Sequence, residues 1–272
     1  SPELMKQISD EKISNALKRN KPFNELSDAG FELLKNNLRT QYCEIGERIC
    51  RDDEIPSGVY LVLDGEVRLM ANSLQGNGLI TLEKRGRGQF FGWVSLIRGQ
   101  SCEIIQASTD CHFAIIPSEV FIRLIKLEDK FGHFFYNLSS IHEAWEVGKE
   151  VLKGSPRPPK NIDQYLKKFI CSTKLYTFKG NNKTNIRAKN VYLSTPGCQD
   201  LTVGALINEN KVTPPNGFLL PIRAVQFAEG WLSDSKDISV HESSKAYNKN
   251  EKEQLQVGKQ DLEDLGIIEH KN

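Results

Sequence analysis

The feature that most constrains the fold is a change of hydrophobic period near residue 40. From there to about residue 117, short β-branched and aromatic runs are interrupted at close intervals by glycine and aspartate. Short strands separated by turn residues are typical of a small antiparallel barrel or sandwich, and we expect about eight strands. Gln75–Gly78 predicts a hairpin turn, because glycine and asparagine adopt the positive φ that such turns require. The clearest runs are Val59–Leu63, Glu66–Met70, Leu79–Lys84, Glu103–Ala107 and Cys111–Ile116.

Helical spacing precedes and follows these strands. Residues 6–20 and 25–38 have apolar residues on one helical face, and Ser27-Asp28 are candidate N-caps for the second helix. After Pro117, an apolar stripe over residues 119–152 predicts a long C-terminal helix. The stripe either packs only on the barrel or also pairs with a second copy, which would give a homodimer. The predicted fold class is therefore mainly β: an antiparallel β-roll or jelly roll with N-terminal helices and a long C-terminal helix, followed by a small strand-containing extension.

The composition of the chain suggests five segments, and Ser1–Leu4, ahead of Met5, are interpreted as vector-derived residues. The closely spaced prolines of Gly154–Pro159 indicate a linker. Beyond it, we expect a helix at Asp163–Ile170 and strands at Leu175–Phe178, Val191–Leu193 and Leu201–Ile207. The polar chain from about Ser233 predicts disorder or weak helicity. The predicted segments are an N-terminal helical lead (1–22), the main domain (23–153), the linker (154–160), a small β-containing extension (161–232) and the tail (233–272).

Several functional classes receive no support from the totals. The net charge is +1 and the pI about 7.6, so no basic bias points to nucleic acid. No window approaches the ~18 apolar residues of a membrane span. The five histidines are dispersed, and neither a GxxxxGK[ST] loop nor a GxSxG elbow occurs, so we expect no metal site and no enzyme activity. The six cysteines form no CxxC pair and no signal peptide precedes them, which predicts buried, reduced thiols in the cytoplasm.

Six ordered landmarks within residues 23–135 carry a family resemblance. They are Phe23–Ser27, Gly46–Ile49, Gly58–Arg68, Gly88–Gly92, Ala107–Cys111 and Pro117–Phe121. The glycines fall at tight turns where a Cβ would be costly. This region resembles the cyclic-nucleotide-binding domain of the catabolite-activator and kinase-regulatory-subunit superfamily.

The resemblance implies a phosphate-binding cassette, which we place at residues 91–102. In the family, backbone N–H groups at the start of a short helix face the cyclic phosphate. A Glu directly after the glycine accepts from the ribose hydroxyl, and an Arg several residues later pairs with the phosphate. The candidate site residues in this chain are Phe91, Gly92, Trp93, Val94, Ser95, Arg98, Ser101 and Cys102.

The cassette of this chain departs from the family pattern at both ligand-binding positions. Trp93 replaces the Glu, and Ser101-Cys102 stand near the Arg position. Arg98 could reach a phosphate if the loop were repositioned, but we expect a solvated surface side chain. Glu103 would bring a negative charge near the phosphate unless strand alternation turns it away. Losing both partners would weaken a micromolar ligand by roughly two to four orders of magnitude. We therefore expect no cofactor, neither cAMP nor cGMP, and a pocket filled by Trp93.

Three functions remain open. Val191–Pro196 and Gly217–Arg223 resemble, more loosely, the segment that joins such a domain to the other parts of bacteriocin-type ABC exporters, chiefly cyanobacterial. This chain would then be a cytoplasmic regulatory module, tethered to the inner membrane by a larger transporter polypeptide that continues past Asn272. The alternatives are a catabolite-activator-type transcription regulator and a free-standing protein-interaction scaffold. The first alternative needs a helix-turn-helix with a basic recognition helix. An open reading frame that continues past Asn272 would argue against the second.

Overall fold

The computed structural model describes residues 9–232 and 251–266. The described residues group into two compact units. The first contains residues 9–71, 81–135 and 252–266, and the second contains residues 72–80, 136–232 and 251. Residues 136–153, which the sequence assigns to the main domain, group with the second unit. Residues 1–8, which include the Ser1–Leu4 stretch interpreted as vector-derived, and the tail segments 233–250 and 267–272 lie outside the described residues.

Eight strands occupy residues 39–117 and form two antiparallel four-stranded sheets, as the sequence predicts. One sheet has the order β1-β8-β3-β6 and the other the order β2-β7-β4-β5. The strands are β1 (Arg39–Cys43), β2 (Arg48–Cys50), β3 (Gly58–Asp64), β4 (Val67–Asn72), β5 (Leu79–Arg85), β6 (Phe90–Phe91), β7 (Ile104–Ala107) and β8 (Cys111–Pro117). The predicted β-roll with flanking helices is confirmed.

Two N-terminal helices belong to the first unit. Helix α1 (Asp10–Lys18) begins after Ser9, whose hydroxyl accepts the Lys12 N–H at 3.3 Å. A 3₁₀ turn, Phe23–Glu25, leads to α2 (Asp28–Asn37). Ser27 caps α2, as predicted, by accepting the Gly30 N–H at 3.1 Å. These caps satisfy donors that a helix leaves unpaired at its first turn.

The predicted long helix over residues 119–152 is wrong. Three helices replace it: α4 (Ser118–Leu127), α5 (Asp129–Tyr136) and α6 (Ile141–Lys153). The first break is at Glu128, whose carboxylate accepts the Ser27 N–H at 3.2 Å and also bonds the Ser27 hydroxyl at the start of α2. This tertiary contact competes with helix continuation. The second break precedes Ser140, which caps α6.

The short helix α3 (Trp93–Arg98) lies between β6 and β7.

Within the predicted polar tail, for which the sequence indicates disorder or weak helicity, the structure describes residues 251–266, which contain two short helices. They are α8 (Glu251–Gln254) and α9 (Lys259–Asp264). The Val257 N–H donates to the Gly88 carbonyl at 2.7 Å, and Gln256 forms a β-bridge with Gln89. Asn20 donates to the Asp261 carboxylate at 2.8 Å, and Arg19 pairs with the same group. We call residues 252–266, which belong to the first unit, the C-terminal segment.

The second unit is built on a three-stranded antiparallel sheet with the order β10-β11-β9. Helix α7 (Ile162–Phe169) and a 3₁₀ turn (Ile170–Ser172) precede β9 (Lys174–Phe178), β10 (Val191–Leu193) and β11 (Ile222–Gln226). The predicted helix and the first two predicted strands are confirmed. Leu201–Ile207 forms no continuous strand, since Gly204, at a φ of +85°, interrupts the extended chain, but its second half runs beside β10: the Ile207 N–H donates to the Val191 carbonyl and the Leu193 N–H to the Ala205 carbonyl, both at 2.8 Å.

A buried ion pair connects α6 to β11 within the second unit. Arg223 donates from Nε and Nη2 to the two Glu143 oxygens at 2.7 and 2.9 Å, and Ser194 donates to the same carboxylate at 2.7 Å. Arg223 also donates to the Leu138 carbonyl at 2.8 Å. Both charged side chains are about 1–2% exposed. These bonds satisfy charges that burial would otherwise make very costly.

Candidate functional site

The cassette starts at the end of β6, directly before α3. The two β6 side chains point to opposite faces, as strand geometry requires. Phe90 stacks on Phe23, in the 3₁₀ turn before α2, with the ring centroids 5.6 Å apart. Phe91 stacks on Tyr60 at 4.9 Å and meets Phe113 edge-on at 5.5 Å. Strand β6 is thus held from both faces by aromatic packing, which fixes the position of the helix that follows.

Gly92 makes the turn into α3. Its φ is +94°, and an added Cβ would lie 2.6 Å from the Gly58 carbonyl oxygen. Both features exclude a side chain at this position. All six residues of α3 are buried, including Val94. The turn therefore places the Gly92 and Ser95 N–H groups in a dry environment at the start of the short helix.

The group that accepts these N–H groups is the carboxylate of Glu103. Glu103 Oε2 accepts the Gly92 N–H at 2.9 Å. Glu103 Oε1 accepts the Ser95 N–H at 3.2 Å and the Ser95 hydroxyl at 2.8 Å. Glu103 is 2% exposed. Its side chain therefore turns toward the cassette and supplies an anion to N–H groups at the start of the short helix.

Electrostatics at Glu103 reflect two opposing effects. Burial raises the pKa of the Glu103 carboxyl above its ordinary value of 4.5, and the hydrogen bonds from Gly92 and Ser95 and the charge of Arg85 oppose that rise. Arg85 is itself 2% exposed and donates to the Phe90 carbonyl at 2.6 Å and to Glu83 at 2.9 Å. The carboxylate is thus desolvated but surrounded by donors and a nearby cation.

Ser95, Cys102 and Ser101 extend the network through backbone contacts. The Ser95 hydroxyl accepts the Cys102 N–H at 3.2 Å while donating to Glu103. The Ser101 hydroxyl donates to the Arg51 carbonyl at 2.5 Å. These interactions hold the chain between α3 and β7, so both residues at the expected cation position serve the local structure.

The side chain of Trp93 packs against helix α5. The side chain is fully buried, and its ring centroid is 5.7 Å from that of Phe135 on α5. Phe135 also packs edge-on against Phe121 at 4.9 Å. The sequence predicts that Trp93 fills the ligand pocket; in the structure the indole packs in an aromatic cluster, and the Glu103 carboxylate is the group that accepts the Gly92 and Ser95 N–H groups. Burial among aromatic rings explains this placement, because an indole gains most from apolar contact.

Arg98 corrects a second expectation. It is 2% exposed rather than a solvated surface side chain, since it ends a helix that is buried throughout. As the basic residue of the last turn, it lies near the negative end of α3.

Two residues of this site, Glu103 and Arg85, are absent from the candidates chosen from the sequence. Glu103 carried a signal, because it directly follows the expected cation position. Its direction could not be read from strand alternation, since β7 begins only at Ile104. Arg85 carried no signal in the local sequence.

The comparisons with known proteins agree with the resemblance. Residues 40–128, about a third of the chain, match the family model of the cyclic nucleotide-binding domain. These residues therefore form a domain of that type. No curated protein matches the chain.

Solved structures that match part of the chain include two regulatory proteins and one isolated domain. A transcriptional regulator of the CRP/FNR family from Eubacterium rectale is 25% identical, with a TM-score of 0.39, over 42% of this chain and 54% of that chain. A cyclic nucleotide-binding domain from Methylobacillus flagellatus is 22% identical, with a TM-score of 0.38, over 46% and 70%. The regulatory subunit of a cAMP-independent protein kinase A from Trypanosoma brucei is 17% identical, with a TM-score of 0.41, over 59% and 51%. This chain thus spans about half of the first and third of these proteins.

Proposed function

We propose that this chain is a non-enzymatic regulatory module in which a side chain of the protein itself occupies the anion position of a cyclic-nucleotide-binding fold. The observation that carries the proposal is the contact of the Glu103 carboxylate with the Gly92 and Ser95 N–H groups, at 2.9 and 3.2 Å. A cyclic phosphate needs the same kind of donors. The domain therefore does not bind cAMP or cGMP with useful affinity.

The energetic argument has two parts. A phosphate that entered the cassette would meet the buried negative charge of Glu103, and like charges in a dry site repel strongly. Displacing Glu103 would instead break three hydrogen bonds that keep its carboxylate satisfied. Losing one charge-assisted partner costs about 1.5–3 kcal/mol. Ser101 and Cys102 supply no charge to offset that cost.

We further propose that the module regulates a larger ABC-type peptide exporter of cyanobacterial kind, in the cytoplasm and tethered to the inner membrane. The support is the loose resemblance of Val191–Pro196 and Gly217–Arg223. Both stretches contribute to the sheet of the second unit, since Leu193 and Ile222 are fully buried in its core. No helix among the described residues is long and apolar enough to cross a bilayer. Under this proposal, the spans lie elsewhere in the polypeptide.

A transcription regulator is a weaker candidate. Across residues 161–232, all of which the structure describes, the α-helix α7 is followed by a 3₁₀ turn and a three-stranded sheet. A helix-turn-helix needs two consecutive helices, the second with basic residues for the major groove. Gel shifts with genomic DNA that show salt-sensitive, competitor-resistant binding would favour this alternative.

Calorimetry tests the nucleotide part of the proposal. The full chain is titrated with cAMP and with cGMP, and neither is expected to bind. A Kd below about 10 μM for either nucleotide would overturn the proposal. In a second titration, the variant C102R/E103S removes the buried charge and adds a cation, and it is expected to bind more tightly than the parent chain. The matched control is E119Q, which neutralises an exposed carboxylate on α4 and should leave the titrations unchanged.

A further inference from the structure

Two cysteines lie opposite each other across the β1–β8 pair. The antiparallel register joins Cys43, the last residue of β1, to Cys111, the first residue of β8. Directly opposed residues in such a pair project from the same face with their Cβ atoms about 4.5–5.5 Å apart. A disulfide needs a Cβ separation of about 3.5–4.5 Å. Bridging the pair thus requires only a small approach of the two strand ends.

We propose that Cys43 and Cys111 form a reversible thiol-modification site that closes to a cross-strand disulfide when a small-molecule disulfide, such as oxidised glutathione, is present. One cysteine thiolate attacks the reagent, forms a mixed disulfide and releases one reagent thiol. The second cysteine loses its proton and attacks the protein sulfur of that mixed disulfide, which releases the second reagent thiol. Two cysteine thiols are oxidised and one reagent disulfide is reduced. This site does not depend on the proposed function.

Access to the pair comes from its place at the end of an edge strand. Both side chains are buried, with Cys43 at 1% and Cys111 at 0% exposure. Strand β1, however, is the outer strand of its sheet, and Arg39–Tyr42 are exposed. Opening this end of the ladder breaks the last strand hydrogen bonds and the bond from the Ile45 N–H to the Asp110 carboxylate at 2.9 Å, and strand ends fray more readily than core strands. Local fraying of β1 therefore presents Cys43 to a reagent without global unfolding.

The surroundings of the two sulfur atoms favour the protonated thiol over the thiolate at neutral pH. Cys111 Sγ donates to the carbonyls of Glu66 and Thr109 at 3.3 and 3.2 Å, and Cys43 Sγ accepts from Gln41 at 3.3 Å. Burial raises the pKa of Cys43 to about 11 and also raises the pKa of Cys111. Since only the thiolate attacks a disulfide, the reaction is slow at neutral pH and speeds up about tenfold per pH unit below the thiol pKa.

The remaining cysteines provide internal controls. Cys50 is opposite Ile105 in the β2–β7 register. Burial raises the pKa of the Cys50 thiol, and Cys102 lies near enough to add to that rise, so the peptide map must distinguish a Cys50–Cys102 link from a Cys43–Cys111 link. Cys171 is exposed and Cys198 is partly exposed, so the sequence-based expectation that all six cysteines are buried fails for these two. Cys171 should form a mixed disulfide with the reagent, and C171S removes that reaction.

The experiment is differential alkylation of the folded full chain in the C171S background. The protein is incubated with millimolar oxidised glutathione at about pH 7 and about pH 9, quenched with acid, denatured and alkylated. We expect the loss of alkylatable thiols at Cys43 and Cys111, a peptide that links these two cysteines, faster formation at the higher pH, and full reversal by dithiothreitol, while any mixed disulfide at the partly exposed Cys198 is identified separately in the peptide map. C43A should leave Cys111 alkylatable or in a mixed disulfide.

Three outcomes would overturn the proposal. The first is that Cys43 and Cys111 both remain alkylatable after prolonged incubation of the folded protein. The second is that the linking peptide forms only when the same incubation is done in urea. The third is that either cysteine links to Cys50, Cys102 or Cys198 instead. The peptide map of the C171S protein decides all three, so the result does not depend on whether C43A folds.

Discussion

The carboxylate of Glu103 accepts the backbone N–H of Gly92 at 2.9 Å, across the turn that opens α3. This bond joins the two ends of the cassette, since Gly92 precedes α3 and Glu103 precedes β7. The same carboxylate bonds Ser95 through both its N–H and its hydroxyl. Glu103 is therefore a fixed part of the loop, and its removal has consequences for stability as well as for charge.

The first prediction compares two substitutions of Glu103. E103A leaves the Gly92 and Ser95 donors buried without an acceptor and should lower the free energy of unfolding by about 2–4 kcal/mol. E103Q keeps one acceptor oxygen and should cost less than E103A. Urea unfolding followed by circular dichroism measures both. Equal losses for the two variants would show that the hydrogen bonds are not what Glu103 contributes.

The second prediction concerns pH. Burial raises the pKa of Glu103 in the folded state above its ordinary value of 4.5, so the folded protein binds this proton more tightly than the unfolded chain does. The stability of the parent chain relative to E103Q should therefore rise as the pH falls from neutral through the folded pKa, and level off below about pH 4.5. Urea titrations of both proteins over this range test the sign. A relative stability that instead decreases with falling pH would mean that the hydrogen bonds outweigh burial.

The third prediction tests the packing of Trp93. W93A removes a fully buried indole from its contact with Phe135 and should cost about 3–5 kcal/mol of unfolding free energy. L127A shortens a side chain that is 66% exposed and serves as the control. In the W145F/W231F background, Trp93 fluorescence should be unchanged by cAMP or cGMP. A nucleotide-dependent change would show that the cassette admits these ligands.

The fourth prediction addresses the second unit. E143Q weakens the buried pair with Arg223 and leaves the guanidinium partly uncompensated, which should cost about 3–5 kcal/mol. The apolar double variant E143L/R223M should lose less unfolding free energy than E143L and R223M lose together as single variants, because no lone charge stays buried in the double variant. K153A, which removes an exposed pair with Glu150 on the same helix, is the control and should change stability by less than about 0.5 kcal/mol. An E143Q cost no larger than that of K153A would contradict the role of the pair.

Much of the β-roll could be predicted because its signals are local. A two-residue period and turn residues specify strands without reference to the rest of the chain. The break at Glu128 depends on Ser27, about a hundred residues away, so the apolar stripe alone predicted one helix where there are three. The second unit shows the same limit, because β11 begins at Ile222 and pairs with the distant Tyr176 region.

At the candidate site, too, local features could be predicted from the sequence and contacts between distant residues could not. The position of the cassette and the loss of its two ligand-binding side chains could be read from the residues. The acceptor of the Gly92 and Ser95 N–H groups could not be predicted, because the direction of the Glu103 side chain depends on the path of the chain between α3 and β7. The position of Trp93 in the sequence predicts a place in the pocket, but its contact with Phe135, on a helix outside the cassette, cannot be predicted from the cassette alone.

The C-terminal segment has a mechanical consequence. Its backbone is hydrogen-bonded to Gly88 and bridged to Gln89, the residues that lead directly into β6 and the Gly92 turn. At Gly88 an added Cβ would lie 2.6 Å from the Val257 carbonyl oxygen, so the backbones of these two segments are in close contact. A displacement of the C-terminal segment would therefore act on Gly88 and Gln89 directly through the main chain, and only two residues separate Gln89 from the Gly92 turn.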